Sequence, residues 1–338
     1  MQYNNSPQLS VLLPFHNETD WLSEAVESIL NQKFRDFELI LIDSKATAAA
    51  AAVACDLNLR DERIRIVEAN APGIALALNT GLIHSKSDWI ARMDADDWSN
   101  PMRLQKQLEY LHQHPEIGLI ACQTSVHPDC ETGQGMLSFM NWQNGIIDQD
   151  SHFCNRFIES PIAHPTVVFR RSLIESYGPY SELEIPEDYE LWLRWMNNGV
   201  HFYKLREPLL CWRDHAQRLT RTAKACRSDR FFKVKLDYLS PFLTEIQQHR
   251  SLYICGANRH IRKKSLLLEE SGVRITGYTD VVKRNAGEKA FLPANQIHAG
   301  DGRFYISLVS SRGKGEEIRS FLIEKGLEEI RDFILAAG

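Results

Sequence analysis

Between residues 9 and 94, short apolar runs alternate with stretches of helical spacing. LSVLLPF, FELILID, RIRIVEA and DWIARMD read as buried strands, and the segments between them, WLSEAVESIL, AAAAAVACDLN and GIALALNTGLIH, carry apolar residues at helical intervals or strong helix formers. Few folds accept this order. Strands that are each followed by a helix do not pair as hairpins, so they align as a parallel sheet covered by helices on both faces. The pattern predicts an α/β fold with a doubly wound, mostly parallel sheet, whose ligands lie beyond the carboxyl ends of the strands. Asn17, Thr19 and Asp20 are the candidate caps of the first helix.

A second, smaller α/β pattern closes the chain. After a basic helical stretch, SLYICGANRHIRKKSLLLEESGVRITGYTD reads as strand, glycine turn, helix and strand ending at Asp280, half of a Rossmann-like unit. Of the dinucleotide glycine pattern only Gly256 is present, which leaves open a structural or homo-oligomer-forming role and a nucleotide site. SSRGKGEE is either a second anion-binding turn or a plain loop. The expected divisions are residues 1–220, a helical connector at 221–248, and a C-terminal domain at 249–338.

With 338 residues, 43% hydrophobic and 25% charged, the chain has enough apolar material for two cores. Its net charge of -5 offers no bulk attraction to nucleic acid, so none is expected as a partner, and any bound phosphate must be held by a local site. MQYNNSPQLSVLLPFHNE lacks a basic flank, and its apolar run is too short for a leader or a membrane span. A cytoplasmic location follows, with any contact at the inner face of a membrane being peripheral. Seven scattered cysteines, none spaced C-x-x-C, argue for reduced and mostly buried thiols rather than disulfides or zinc.

Carboxylates gather at predicted strand ends. Asp43 ends the second strand, and ARMDADDWSNP places Asp94, Asp96 and Asp97 at the end of the fourth. Three close acids repel one another unless a cation compensates them, and hard ions such as magnesium or manganese take oxygen ligands shared with substrate phosphates. The other reading is helix capping, since DDWSNPMRLQKQLEYLHQHP begins a helix. Glu187 and Asp188 open a further amphipathic helix, where they serve either as caps or as a carboxylate base. His215 lies among Arg213, Arg218 and Arg221, a set suited to a metal or a diphosphate, or to an ordinary surface.

In this order the pieces resemble the family 2 nucleotide-sugar glycosyltransferases of the GT-A fold, over residues 8 to about 220. SVLLPFHNE is similar to the family's opening strand, SILNQKFRDFELILID to its second unit, DWIARMDADDWSNPMRL to its Asp-x-Asp segment, HPTVVFRRSLIESYGPYSELEIPEDYELWLR to its acceptor segment, and CWRDH to its late histidine. The resemblance implies that Asp96 and His215 hold a manganese or magnesium ion, with Asp97 and Arg213 in support. It places Pro14, Asp43, Ser44 and Asp94 along the donor nucleotide, and makes Asp188, with Glu187 beside it, the catalytic base. Relatives commonly continue the second strand as Asp-Asp-Gly-Ser, whereas this chain has Ser44 and Lys45 at the second and third positions. An uncharged hydroxyl there puts the donor base in doubt. The implied activity is metal-dependent, inverting transfer of a sugar from a nucleoside-diphosphate donor to a saccharide or lipid-linked glycan. The alternatives are a nucleotidyltransferase that activates a sugar phosphate, for which no Gly-rich triphosphate loop follows LSVLLPF, and a non-catalytic glycan- or nucleotide-binding relative.

Overall fold

The computed structural model describes residues 6–218, 221, 223–282, 287–309 and 313–336. It divides into two compact units, Met1–Gln149 with Pro161–Cys226, and Asp150–Ser160 with Arg227–Gly338.

In the first unit, β1 (Leu9–Phe15), β2 (Phe37–Asp43), β3 (Ile64–Glu68) and β4 (Trp89–Arg92) run parallel in the spatial order β3-β2-β1-β4. All of β1 is buried, and β2 is buried up to Asp43. Strands covered on both faces lack polar alternation, hence their unbroken apolar runs. Helix α1 (Leu22–Leu30) buries Leu22, Ala25, Val26 and Ile29. It starts after Trp21 with no side-chain cap, so Asn17, Thr19 and Asp20 do not cap it: they lie in the turn before Trp21, where Thr19 hydrogen-bonds Asp20 instead. Helix α2 (Ala48–Arg60) is capped by Thr47 and buries only Ala50, Ala54 and Leu57 of its alanine-rich run. Helix α3 (Ile74–His84) presses close to the sheet, since a Cβ on Gly81 would come within 2.5 Å of Ile42 Cδ1.

Beyond β4 the sheet becomes mixed. Its order continues β7 (Val168–Arg170), β6 (Ile117–Val126), β8 (His201–Trp212) and, at the edge, β5 (Trp98–Ser99). Helix α4 (Arg103–Gln113) follows Met102, so the acids at 94–97 are not its cap; β5 intervenes, and Asn100 Oδ1 accepts the Met102 N–H instead. Helices α5 (Gln134–Gly145) and α7 (Arg171–Tyr177) precede α8 (Glu187–Asn197), which buries Leu191, Trp192, Leu193, Trp195 and Met196, whereas α6 (Gln149–Asn155) lies, but for its first residue, in the second unit.

The second unit holds an all-parallel sheet in the order β11 (Ala290–Pro293), β10 (Ile275–Asp280), β9 (Ser251–Cys255), β12 (Arg303–Ser307), β13 (Phe333–Leu335). Gly256 has φ +92° and leaves 2.4 Å between a would-be Cβ and Ile261 Cδ1, so it serves the turn from β9 into helix Arg259–Glu270. Asp280 Oδ2 accepts the Ala257 N–H of that turn at 3.1 Å. In SSRGKGEE, residues 310–312 lie outside the described residues, and a helix starts at Lys314. Of the cysteines, Cys122 and Cys255 are buried, but Cys55 on α2 is exposed, and Cys154 on α6, Cys130 in the loop after β6 and Cys211 near the end of β8 are only partly covered. Among the described residues no helix is long and apolar enough to cross a membrane.

Candidate active site

A two-residue strand assembles the site. β5 follows Asp97 directly and pairs antiparallel with the end of β8, Trp98 opposite Cys211 and Ser99 opposite Leu210. This lays the loop after β4 against the loop after β8. Asp97 Oδ1 accepts the Arg213 backbone N–H at 3.0 Å, the Asp96 carbonyl accepts Arg213 Nε at 3.0 Å, and His215 Nε2 lies 2.8 Å from Asp96 Oδ2. Arg213 also donates to Glu24 at 2.5 Å, and the Trp21 ring lies 4.4 Å from that of His215. Arg218 and Arg221 of the expected cationic set are engaged by Asp214, so they are partly neutralised within the loop.

Asp94, Asp96 and Asp97 bring their carboxylate oxygens within 4.8 Å of one another. Burial, followed by the Asp94 charge, raises the pKa of Asp96 above the usual carboxylate value, although His215 opposes the shift. Burial and then the charges of Asp96 and Asp94 push Asp97 well up. Asp97 Oδ2 and His215 Nδ1 are buried without a hydrogen-bond partner among the described residues. Hard oxygens that repel one another, with an adjacent imidazole, fit a divalent cation such as magnesium or manganese.

On β4, the buried Arg92 forms an ion pair with Asp94 and also lies in the field of Glu187. Glu187 and Asp188 begin α8, and Asp188 Oδ1 accepts the Tyr189 N–H at 2.7 Å, so the carboxylate does satisfy a first-turn amide. Burial, and then the charge of Asp188, push Glu187 up to about 8. Burial pushes Asp188 up to about 6, with the Tyr189 N–H and Arg92 holding it down. Both carboxyls are therefore held above the usual carboxylate range, Glu187 further than Asp188.

The donor-side residues lie at neighbouring strand ends. Pro14 in β1 is level with Ile42, one residue before Asp43 in β2. Asp43 Oδ1 accepts the Ala46 N–H at 2.6 Å, and the Ser44 hydroxyl accepts the Gly73 N–H at 3.1 Å. No hydrogen bond among the described residues joins Asp43 or Ser44 to the Asp94–Asp97 cluster. Arg92, Trp21, Glu24, His164 and Tyr180 were not singled out from sequence. An arginine inside the apolar strand DWIAR was the available signal for Arg92; the others carried none.

The family described as Glycosyl transferase family 2 matches residues 10–178. The chain belongs to that family. This family 2 glycosyltransferase is 30% identical over 220 residues to the O-antigen biosynthesis glycosyltransferase WbnJ of Escherichia coli, covering 64% of this chain and 84% of that relative. It is 34% identical over 205 residues to the amylovoran biosynthesis glycosyltransferase AmsE of Erwinia amylovora, covering 60% and 74%. In fold it is similar to S. aureus TarS 1–349, crystallised with UDP-GlcNAc, at a TM-score of 0.56 and 16% identity over 78% of this chain and 71% of that one. The GT-A-type α/β fold and the enzyme class expected from sequence stand; a nucleotidyltransferase does not.

Proposed function

We propose that this glycosyltransferase moves a sugar, with inversion, from a nucleoside-diphosphate donor to a saccharide or lipid-linked glycan, with residues 1–220 as the transferase domain and 249–338 as a separate α/β domain. The observation that carries the reading is the convergence of two chemistries at the carboxyl end of one sheet: the Asp94–Asp96–Asp97–His215 set and the Glu187–Asp188 pair, with Arg92 between them in electrostatic reach. The relatives' names, O-antigen and amylovoran biosynthesis, support a glycan product.

Asp96 and His215 would hold a manganese or magnesium ion, with Asp97 and Arg213 supporting them and Asp94 towards the donor. The ion, when bound, supplies positive charge for the departing diphosphate. Asp188 takes the proton of the acceptor hydroxyl as that oxygen forms its bond to the anomeric carbon. The bond from that carbon to the phosphate oxygen breaks, its electron pair leaves with the nucleoside diphosphate, and in-line attack inverts the centre. An acid near 6 suits this task, being ionised at neutral pH yet basic enough to accept a proton. Pro14, Asp43 and Ser44 line the nucleoside side.

The test combines product analysis with nucleotide binding. Free nucleoside diphosphate and an inverted anomeric proton in the product are expected, with affinity for nucleoside diphosphates rising on addition of manganese. A retained anomeric configuration, or equal affinity in chelator and in metal, would refute the corresponding part.

A further inference from the structure

Behind the Glu187–Asp188 pair lies a polar chain buried among aromatic side chains. His164 is 7% exposed, and its Nδ1 faces Glu187 Oε1 at 3.7 Å. Its Nε2 lies 3.0 Å from the Tyr180 hydroxyl, and Tyr180 is 2% exposed. Tyr180 is gripped in turn by α3: Asn79 Oδ1 accepts its N–H and Asn79 Nδ2 donates to its carbonyl, both at 3.0 Å. The turn bearing His164 is fixed from α4, where Arg103 Nη1 donates to the Pro165 carbonyl at 2.5 Å and Gln107 Nε2 to the Thr166 carbonyl at 2.7 Å. Trp192 of α8 meets the imidazole edge-on at 5.7 Å.

Two segments, α8 and the Tyr180 turn, thus meet the imidazole, α3 and α4 hold the backbone behind it, and among the described residues the carboxylate that faces it is that of Glu187. Burying so many polar groups is costly unless each is paired, and the benefit of pairing them is a single geometry. We propose that His164, backed by Tyr180, is a positioning residue for the acceptor base: the pair fixes Glu187 at the first turn of α8 and so fixes the direction of the adjacent Asp188 carboxylate. Burial and the nearby Arg92 keep the imidazole neutral, well below its ordinary range, so it orients Glu187 without adding charge to the site. His164 touches neither donor nor acceptor in this account. The role rests on the reading of Asp188 as the base.

The test uses the full chain and hydrolysis of UDP-GlcNAc or GDP-mannose, whichever is cleaved, with water as acceptor and released nucleoside diphosphate as readout. Tyr180→Phe keeps the ring and should lower kcat about tenfold, and His164→Leu about a hundredfold, each with the donor KM within about twofold of wild type. His164→Asn, which returns a polar group near Nδ1, the atom that faces Glu187, should recover about tenfold over His164→Leu. Folded Tyr180→Phe and His164→Leu proteins with wild-type kcat would overturn the proposal. So would losses in which donor KM rises in step with falling melting temperature, because that is the signature of mere packing. Asp188→Asn run in parallel separates the two levels. If it is inactive while the His164 and Tyr180 variants are normal, only the positioning role falls; if it turns over normally, the base assignment falls and takes this role with it.

Discussion

Replacing Asp188 by Asn should damage turnover and improve stability at the same time. Asp188 Oδ1 accepts the Tyr189 N–H at 2.7 Å, a bond that an amide oxygen keeps, so the loss of capping costs at most about 1 kcal/mol. Against this stands the charge. Burial raises Asp188 from 3.8 to about 6, so its ionised form is disfavoured in the folded state. For a raised acid the penalty is absent below the unfolded value near 3.8, grows through the interval, and is complete above about 6. A displacement of about two pH units corresponds to about 3 kcal/mol, less what Glu187 shares of it. Asparagine removes the penalty, so the variant should be more stable than wild type by about 1–2 kcal/mol at pH 7.5, or a few degrees in Tm for a unit of this size. Below about pH 4 the advantage should vanish. Turnover, by contrast, should fall at least about a hundredfold, since no carboxylate remains to accept the proton. Melting curves at pH 4 and 7.5 with a nucleoside-diphosphate release assay on one preparation check both halves. Normal turnover would end the assignment of Asp188 as base, and a lowered Tm at pH 7.5 would refute the electrostatic reasoning.

Further outcomes follow from the same site. Asp96→Ala should abolish the manganese dependence of nucleotide binding, read as thermal shift with nucleoside diphosphates in metal and in chelator; a retained dependence would remove Asp96 from the metal set. Because the Ser44 hydroxyl already accepts the Gly73 N–H and carries no charge, a titration panel of UDP, GDP and TDP should show weak discrimination for uridine, and a strong uridine preference would contradict it. Glu187, pushed up to about 8, holds its proton at pH 7, so Glu187→Gln should lower turnover at least about tenfold less than Asp188→Asn does; equal losses would mean that Glu187 acts as an ionised group.

Much of the sheet was legible because its central strands are covered on both faces. Runs such as LSVLLPF and FELILID can be satisfied in few other ways. Element boundaries were less so: the helix after DADDWSNP starts only at Arg103, because β5 takes Trp98 and Ser99 first, and a two-residue strand has no periodicity to read. The site divided along the same line. Asp94, Asp96 and Asp188 announce themselves as acids at element ends, whereas His164 and Tyr180 sit in a segment with no local pattern that marks them.

By itself the sequence determined which segments become strands and helices and which acids stand at their ends, since apolar runs and helical spacing state how each piece must be buried whatever it packs against. Only the tertiary structure decided that Asp97 would meet Arg213, 116 positions away, because that contact depends on the non-local pairing of β5 with β8. It alone decided, too, that Glu187 and Asp188 would differ in acidity: two adjacent carboxyls are chemically near-equal in a free chain, and once the fold has buried both, the Asp188 charge pushes Glu187 further up while the Tyr189 N–H holds Asp188 down.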